Sequence, residues 1–334
     1  MIVAFDGICL GDGPATGVAR CFLDGLAAYC EHSKSQPNAT QCLLLLPNGA
    51  PDPGLPGVRV VPAPRGALRR QFTLPRLLRT LGVDLLHSSV ASIPAFAPCP
   101  SIATLHDLPW LHPELGERGE PFLLARRVAR AATIVMPSAQ TEADARRWLG
   151  TRCPPVLRVP HGTTLGPAPT AEATHARRGP LLVLGDDRPR KNRERLHAAH
   201  ALARQTAPDL PPLRFVGPPH DYVDEATKRT LLQQCRALVH VSLFEGFGLP
   251  VLEGLAHGAP VLCADLPPHR EIAGPNARFV DPRDVGAIAA GLVAIHHDQD
   301  LRWRHAAAGH ERARTFSCTA VAQAWHALHR SLSR

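Results

Sequence analysis

Twice along its length this chain alternates short apolar runs with stretches of helical period, and a segment rich in proline and threonine separates the two series. The first series of apolar runs is Ile2–Phe5, Gln41–Leu46, Val58–Val61, Val83–His87, Ser101–Leu105, Thr133–Pro137 and Val156–Pro160. Helical patterns lie between them. Thr16–Tyr29 places Val18, Cys21, Phe22 and Leu26 on one side, and Gln71–Leu81 is ended by Gly82. Pro121–Ala132 follows, and Ser138 caps a helix that runs to Leu149 and closes at Gly150. Residues 163–179 interrupt the pattern and read as a linker. The alternation then restarts, with strands over Leu181–Gly185, Leu213–Gly217, Ala237–Val241, Val261–Ala264 and Ala277–Val280. Its helices are Asn192–Gln205, Thr227–Cys235, Pro250–His257, Val285–Ile295 and the tail from Cys318. Two runs of strand–helix units imply an α/β protein with two doubly wound parallel-sheet domains, and 334 residues suffice for both. The expected domains are 1–164 and 180–317, joined by a linker over 165–179. A C-terminal helix over 318–334 packs back on the first domain in this reading.

Composition narrows the class. No apolar run reaches the ~18 residues of a membrane span, and the first residues lack the pattern of a signal peptide. A cytoplasmic protein, peripheral to the membrane at most, is expected. The nine cysteines are scattered and form no C-x-x-C pair, which argues against a disulfide framework and a structural zinc site. The net charge is +8, and the only lysines are Lys34, Lys191 and Lys228. Such a balance fits phosphorylated ligands, an anionic membrane surface or nucleic acid. Nucleic acid is set aside, because aromatic residues are 5% and no basic stretch is interleaved with them.

In doubly wound sheets ligands bind beyond the carboxyl ends of the strands. The segment Glu245-Gly-Phe-Gly-Leu-Pro-Val-Leu-Glu253 follows such an end. Gly246 and Gly248 allow backbone to approach a ligand, with Phe247 between them and Leu249 after them. Pro250 opens a helix whose free N–H groups suit a diphosphate. Glu253 lies one turn on, placed for ribose hydroxyls, and Glu245 precedes the glycines, placed for sugar hydroxyls. The competing reading is a strand–turn–helix with two surface glutamates. The Gly-x-Gly between them and the position after a strand tell against it.

This segment, continued to Val261, resembles the signature of retaining glycosyltransferases of family four, which have the GT-B fold and carry two glutamates separated by seven residues. The similarity extends through Leu266–Gly274 and Val280–Asp284 and is patchier in the first half. It implies two Rossmann-like domains facing a cleft, with the donor held mainly by the C-terminal domain and the acceptor by the N-terminal one. It also implies transfer from a nucleotide sugar with retention and without a bound metal or other cofactor.

Other post-strand residues take their expected roles from the same resemblance. Leu184-Gly-Asp-Asp-Arg-Pro-Arg-Lys-Asn192 follows a strand and opens a helix. Cations at a helix N-terminus are disfavoured unless an anion is bound, and Lys191 is a rare lysine in an arginine-rich chain. The stretch is similar to the family's Arg-Lys-Asn segment, which gives Arg190 and Lys191 the leaving diphosphate. Some relatives place an arginine directly after the glycine. Here Asp186 follows Gly185, so Arg188 competes with Arg190 for the second phosphate contact. Gly217, after the next strand, is a further substrate-binding candidate. Gly17 closes the loop Gly11-Asp-Gly-Pro-Ala-Thr-Gly17, which lacks the dinucleotide fingerprint G-x-G-x-x-G but looks like the family's first glycine loop. His106, followed by Asp107, is similar to the family's His-Asp motif, whose histidine approaches the donor sugar. His87 and His161 are taken as structural or acceptor-side residues.

Arg65, Arg69, Arg70, Arg76 and Arg79 lie among Leu68, Phe72, Leu74, Leu77 and Leu78. This is a candidate surface for anionic lipid of the inner membrane or for a lipid-linked acceptor. A solvated helix face packing on the sheet is the competing reading. The expected activity is hexosyl transfer to a saccharide or lipid-linked acceptor in bacterial surface-polysaccharide synthesis, from GDP-mannose first and a UDP-sugar second. A sugar phosphorylase or nucleotide-sugar epimerase of the same fold, and a non-catalytic nucleotide-sugar-binding or scaffold protein, are the alternatives.

Overall fold

A computed structural model describes residues 1–11, 16–37, 39–117, 119, 123–218 and 221–333. The chain divides into two compact units. Unit 1 comprises Met1–Leu111, Arg118–Gly162 and Ser317–Arg334, and unit 2 comprises His112–Glu117 and Thr163–Phe316.

Unit 1 holds strands β1 (Ile2–Asp6), β2 (Gln41–Pro47), β3 (Val58–Ala63), β4 (Leu85–Ser88), β5 (Ser101–Thr104), β6 (Thr133–Met136) and β7 (Val156–Arg158). They form one parallel sheet in the order β3-β2-β1-β4-β5-β6-β7. Helices α1 (Gly17–Lys34), α2 (Ala67–Thr80), α3 (Leu124–Val128) and α4 (Ala139–Leu149) cross between them. The caps are those the residues call for: Thr16 accepts from the Ala19 N–H, and Ser138 from the Thr141 N–H. The helix expected over Pro121–Ala132 is described only as α3, and residues 120–122 lie outside the described residues. Burial on both sheet faces explains why β1, β2 and β6 read as largely apolar runs rather than alternating ones, while β4 and β5 also carry the buried polar residues His87, Ser88, Ser101 and Thr104.

Unit 2 begins its regular structure with α5 (Ala171–Ala176), inside the segment whose composition reads as a linker. Arg177 then donates to the carbonyls of Leu232 and Gly258, at 2.8 Å each, and to those of Cys235 and His257. Strands β8 (Leu181–Leu184), β9 (Leu213–Val216), β10 (Ala237–His240), β11 (Val261–Ala264) and β12 (Arg278–Val280) make a second parallel sheet, in the order β12-β11-β10-β8-β9. Its helices are α6 (Arg193–Thr206), α7 (Glu225–Gln234), α8 (Leu249–Ala256), α9 (Pro267–Ala273), α10 (Val285–His297) and α11 (Gln299–Ala313). Helix α11 was not foreseen. Its buried face is Arg302, Ala306, Gly309, His310 and Ala313, which carries no large apolar residue to mark the period.

A last helix, α12 (Cys318–Leu332), belongs to unit 1 and packs along α1. Trp325 sits against Gly25, where an added Cβ would lie 2.9 Å from the indole, and joins Phe5, Leu26 and Tyr29 in one core. Among the described residues no helix is long and apolar enough to cross a membrane.

Candidate functional site

The strand ends of unit 2 are drawn together by an asparagine. Asn192 takes a left-handed backbone conformation, with φ of 61°, between the short turn Pro189–Lys191 and α6. Its amide donates to the carbonyls of Val241, at 3.0 Å, and Pro282, at 2.7 Å. The Leu243 N–H donates to the Arg190 carbonyl at 2.8 Å. These bonds fix the turn after β8 against the loop after β10, which brings Lys191 to Glu245. The Lys191 Nζ donates to Glu245 Oε1 at 2.6 Å.

Glu245 is 7% exposed. Its Oε1 accepts a second bond, from His240 Nε2 at 2.9 Å, and Arg190 lies 3.7 Å from Oε2. Burial alone would raise the carboxyl. Lys191, His240 and Arg190 overcome that and hold it well below its ordinary value, so Glu245 is ionised at neutral pH. Burial pushes His240 down, with Lys191 and Arg190 adding to that and Glu245 opposing it. A neutral imidazole that donates to a carboxylate carries its proton on Nε2.

Arg190 is turned inward, with its side chain 4% exposed. It donates to the Phe244 carbonyl at 3.2 Å and meets Glu117 at 3.2 Å. Glu117 belongs to the short segment His112–Glu117 that is part of unit 2, as is His112, whose ring lies 4.4 Å from that of Phe244. Arg188 is half exposed and grips Asp186 through Nε, at 3.0 Å, and Nη2, at 2.7 Å.

Glu253 lies one turn into α8 and pairs with Lys228 of α7, which also meets Glu225 at 3.1 Å. Two of the three lysines therefore pair with the two glutamates of the segment. Between the glutamates Gly248 has φ of 106°, and a Cβ there would meet His269 at 2.7 Å. Phe247 turns into the core, 6.2 Å from the Phe316 ring, and Leu249 opens α8. Gly217 and Gly185 bring the ends of β9 and β8 into contact, since a Cβ on Gly217 would lie 2.4 Å from the Gly185 carbonyl oxygen.

Gly17, His106 and Asp107 belong to unit 1. His106 stands just past β5 and donates from Nε2 to the Ser89 carbonyl at 2.8 Å. Its Nδ1 is 3.3 Å from His161 Nε2, and the two rings stack. Burial depresses both imidazoles, His161 to about 3. His106 is thus a neutral ring with both nitrogens engaged, and half-buried Asp107 follows it. His87 is buried between Thr104 and His329. Gly17 opens α1 behind its Thr16 cap, and residues 12–15 of that loop lie outside the described residues.

Sequence reasoning missed His240, Lys228 and Glu117. Only Lys228 left a signal, the rarity of lysine in this chain. Among the described residues Asp209, His296 and His297 form one group with metal-ligand potential. There Arg236 donates to His296 Nδ1 at 3.2 Å, and His296 Nε2 meets Asp209 at 3.1 Å, so both ring nitrogens serve an Arg–His–Asp relay.

Two family models match. Residues 30–166 fit Glycosyltransferase Family 4, and residues 220–312 fit Glycosyl transferases group 1. Over 105 residues, 31% of this chain, it is 34% identical to O-antigen chain mannosyltransferase B of Escherichia coli. Over 113 residues, 33% of this chain, it is 32% identical to a phosphatidyl-myo-inositol mannosyltransferase of Mycobacterium leprae. The matched segments span 26% and 29% of those relatives' own lengths. Among solved structures, sucrose-phosphate synthase of Thermosynechococcus elongatus superposes with a TM-score of 0.74 at 18% identity, over 99% of this chain and 98% of that one. HepE of Anabaena, in complex with UDP and glucose, gives 0.72 at 17% identity, over 99% and 100%. The fold is GT-B.

Proposed function

The chain belongs to the group 1 glycosyltransferases of family 4, and on that premise we propose that it moves a hexosyl group from a nucleoside-diphosphate sugar to a saccharide or lipid-linked acceptor. The observation that carries this reading is the ionised Glu245, buried between Lys191 and His240 at the turn that opens α8. A buried carboxylate held ionised is suited to face a centre that becomes positive, as the anomeric carbon does when the glycosidic bond lengthens. Lys191, beside it, neutralises the diphosphate that leaves. Glu253 takes the ribose, and the start of α8 faces the phosphates. Arg190, turned inward on Glu117 and Glu245, acts by holding Glu245. The half-exposed Arg188 is the arginine assigned to the second phosphate.

The step keeps the donor's anomeric configuration. The bond from the anomeric carbon to the phosphate oxygen breaks and the bond to the acceptor oxygen forms on the same face. The acceptor's proton passes to the departing diphosphate. These side chains supply the positive charge, so the reading needs no metal. The names of the mannosyltransferase relatives support a mannosyl group and, for the O-antigen relative, a role in surface polysaccharide; the donor in this reading is GDP-mannose first and a UDP-sugar second. The acceptor is assigned to unit 1. There α2 exposes Phe72 (63%) with Arg69 and Arg76, and Arg130 lies over the exposed Phe96, which fits a lipid-linked acceptor at the cytoplasmic membrane face.

The test is turnover of nucleotide sugars with free and lipid-linked saccharides, the product anomer being read by NMR. The product should keep the donor's configuration. Glu245→Ala and Lys191→Ala should each lower turnover about 10²- to 10³-fold with the fold intact. Near-normal transfer by either variant, or an inverted product, overturns the reading.

A further inference from the structure

His240 occupies a position that strand geometry marks for an apolar side chain. Along β10, Ala237 and Val239 point into the core shared with α6 and α10, and Leu238 points into the core under α8. His240 continues the Leu238 face and is 2% exposed. A buried imidazole is costly unless its polar atoms find hydrogen-bond partners. Here Nε2 has two partners, Glu245 Oε1 at 2.9 Å and Ser242 Oγ at 3.3 Å. The charged and titratable groups that face it are Glu245 from its own loop, Lys191 and Arg190 from the turn before α6, and the His269 ring of α9, 5.3 Å away.

We propose that His240 is a positioning residue for the transfer reaction, fixing the Glu245 carboxylate so that Oε2 is the oxygen presented to the donor sugar. The proposal rests on the reading of Glu245 given above. Its basis is the unequal treatment of the two oxygens. Oε1 receives both short bonds, from Lys191 and His240, whereas Oε2 has the Arg190 guanidinium at 3.7 Å. Two donors converging on one oxygen from different elements define the rotation of the carboxylate plane, which one flexible lysine cannot do alone. The imidazole must stay neutral for this. A protonated His240 would add a cation to a carboxylate already flanked by Lys191 and Arg190, and weaken the charge that Glu245 offers the sugar.

The test compares wild type with His240→Phe, His240→Gln and His240→Asn. Glutamine places an N–H donor near the Nε2 position, asparagine falls short of it, and phenylalanine keeps the volume. Two quantities are read: the titration of the ¹³C-labelled Glu245 carboxyl by NMR, and kcat against KM for the donor. His240→Phe should raise the Glu245 titration and lower kcat by about tenfold or more, with KM nearly unchanged. His240→Gln should recover most of both. Should the phenylalanine variant fail to fold, His240→Asn takes its place and should show the same losses. Wild-type kcat with an unmoved Glu245 titration in the phenylalanine or asparagine variant overturns the proposal. A wild type that transfers no sugar refutes the reaction, while the Glu245 titration still decides the role of His240.

Discussion

Both units end their parallel strands in buried polar groups, but in unit 1 most of these are neutral histidines bonded to one another, beside a single Asp6–Arg70 pair, whereas in unit 2 ion pairs gather around a glycine turn. At the end of β1, buried Asp6 is paired with buried Arg70 of α2, which also donates to the Pro64 carbonyl. Past β4 and β5, neutral imidazoles bond to serine, threonine, tyrosine and each other, as in His106–His161 and Tyr29–His329–His87. Unit 2 instead sets Lys191 on Glu245 and Lys228 on Glu253, on either side of a glycine turn and a helix start. Apart from the Asp6–Arg70 pair, the unit 1 groups are neutral and hydrogen-bond within their own unit. Ion pairs that flank a glycine turn and the start of a helix are an arrangement that suits an anionic ligand. The same parallel-sheet geometry ends in different side-chain chemistry in the two units.

The sharpest way to break this comparison is to cut the ion pair of unit 1. Arg70→Met leaves the Asp6 carboxylate buried without its cation, which should cost about 3–5 kcal/mol. Urea unfolding checks it, and turnover per folded molecule should change far less than in Lys191→Ala. A loss of turnover out of proportion to the loss of folded protein would give the Asp6–Arg70 pair a part in the chemistry.

Acid provides the next contrast. Burial depresses His87 to about 3, against an ordinary value of 6.5. A histidine whose folded value is the lower one contributes stability that is complete above pH 6.5. That contribution falls as the pH drops from 6.5 towards 3, because the unfolded chain binds the proton first. Each pH unit in that window should remove about 1.4 kcal/mol for His87, with His161 adding its own share. Chemical unfolding at stepped pH reads the slope. His87→Phe should flatten it, and an unchanged slope would mean that the imidazole is not buried as described.

Much of the fold was legible because parallel strands buried on both faces read as continuous apolar runs, as β2 and β8 do. Helix α11 was not, because Arg302, Gly309 and His310 sit where apolar residues would have marked the period. The segment 163–179 has the composition of a linker, yet Arg177 ties it to four carbonyls of unit 2. The site was legible where local chemistry was out of place: two glutamates around Gly-x-Gly, and lysine in a chain that prefers arginine. It was not legible where a residue matters through a distant partner. Glu117 meets Arg190 across a long stretch of sequence, and His240 hides in an apolar strand. His106 shows the converse, a motif histidine whose ring nitrogens both bond within its own unit.

The central claim is that the charge gathered in unit 2 exists to hold a nucleoside-diphosphate sugar. Calorimetric titration of GDP-mannose, UDP-sugars and their free diphosphates into wild type and Lys191→Ala tests it most directly. At least one nucleotide sugar should bind the wild type, and Lys191→Ala should weaken it by about tenfold or more. Equal binding by both proteins, or no binding of any nucleotide sugar to the wild type, would contradict the claim.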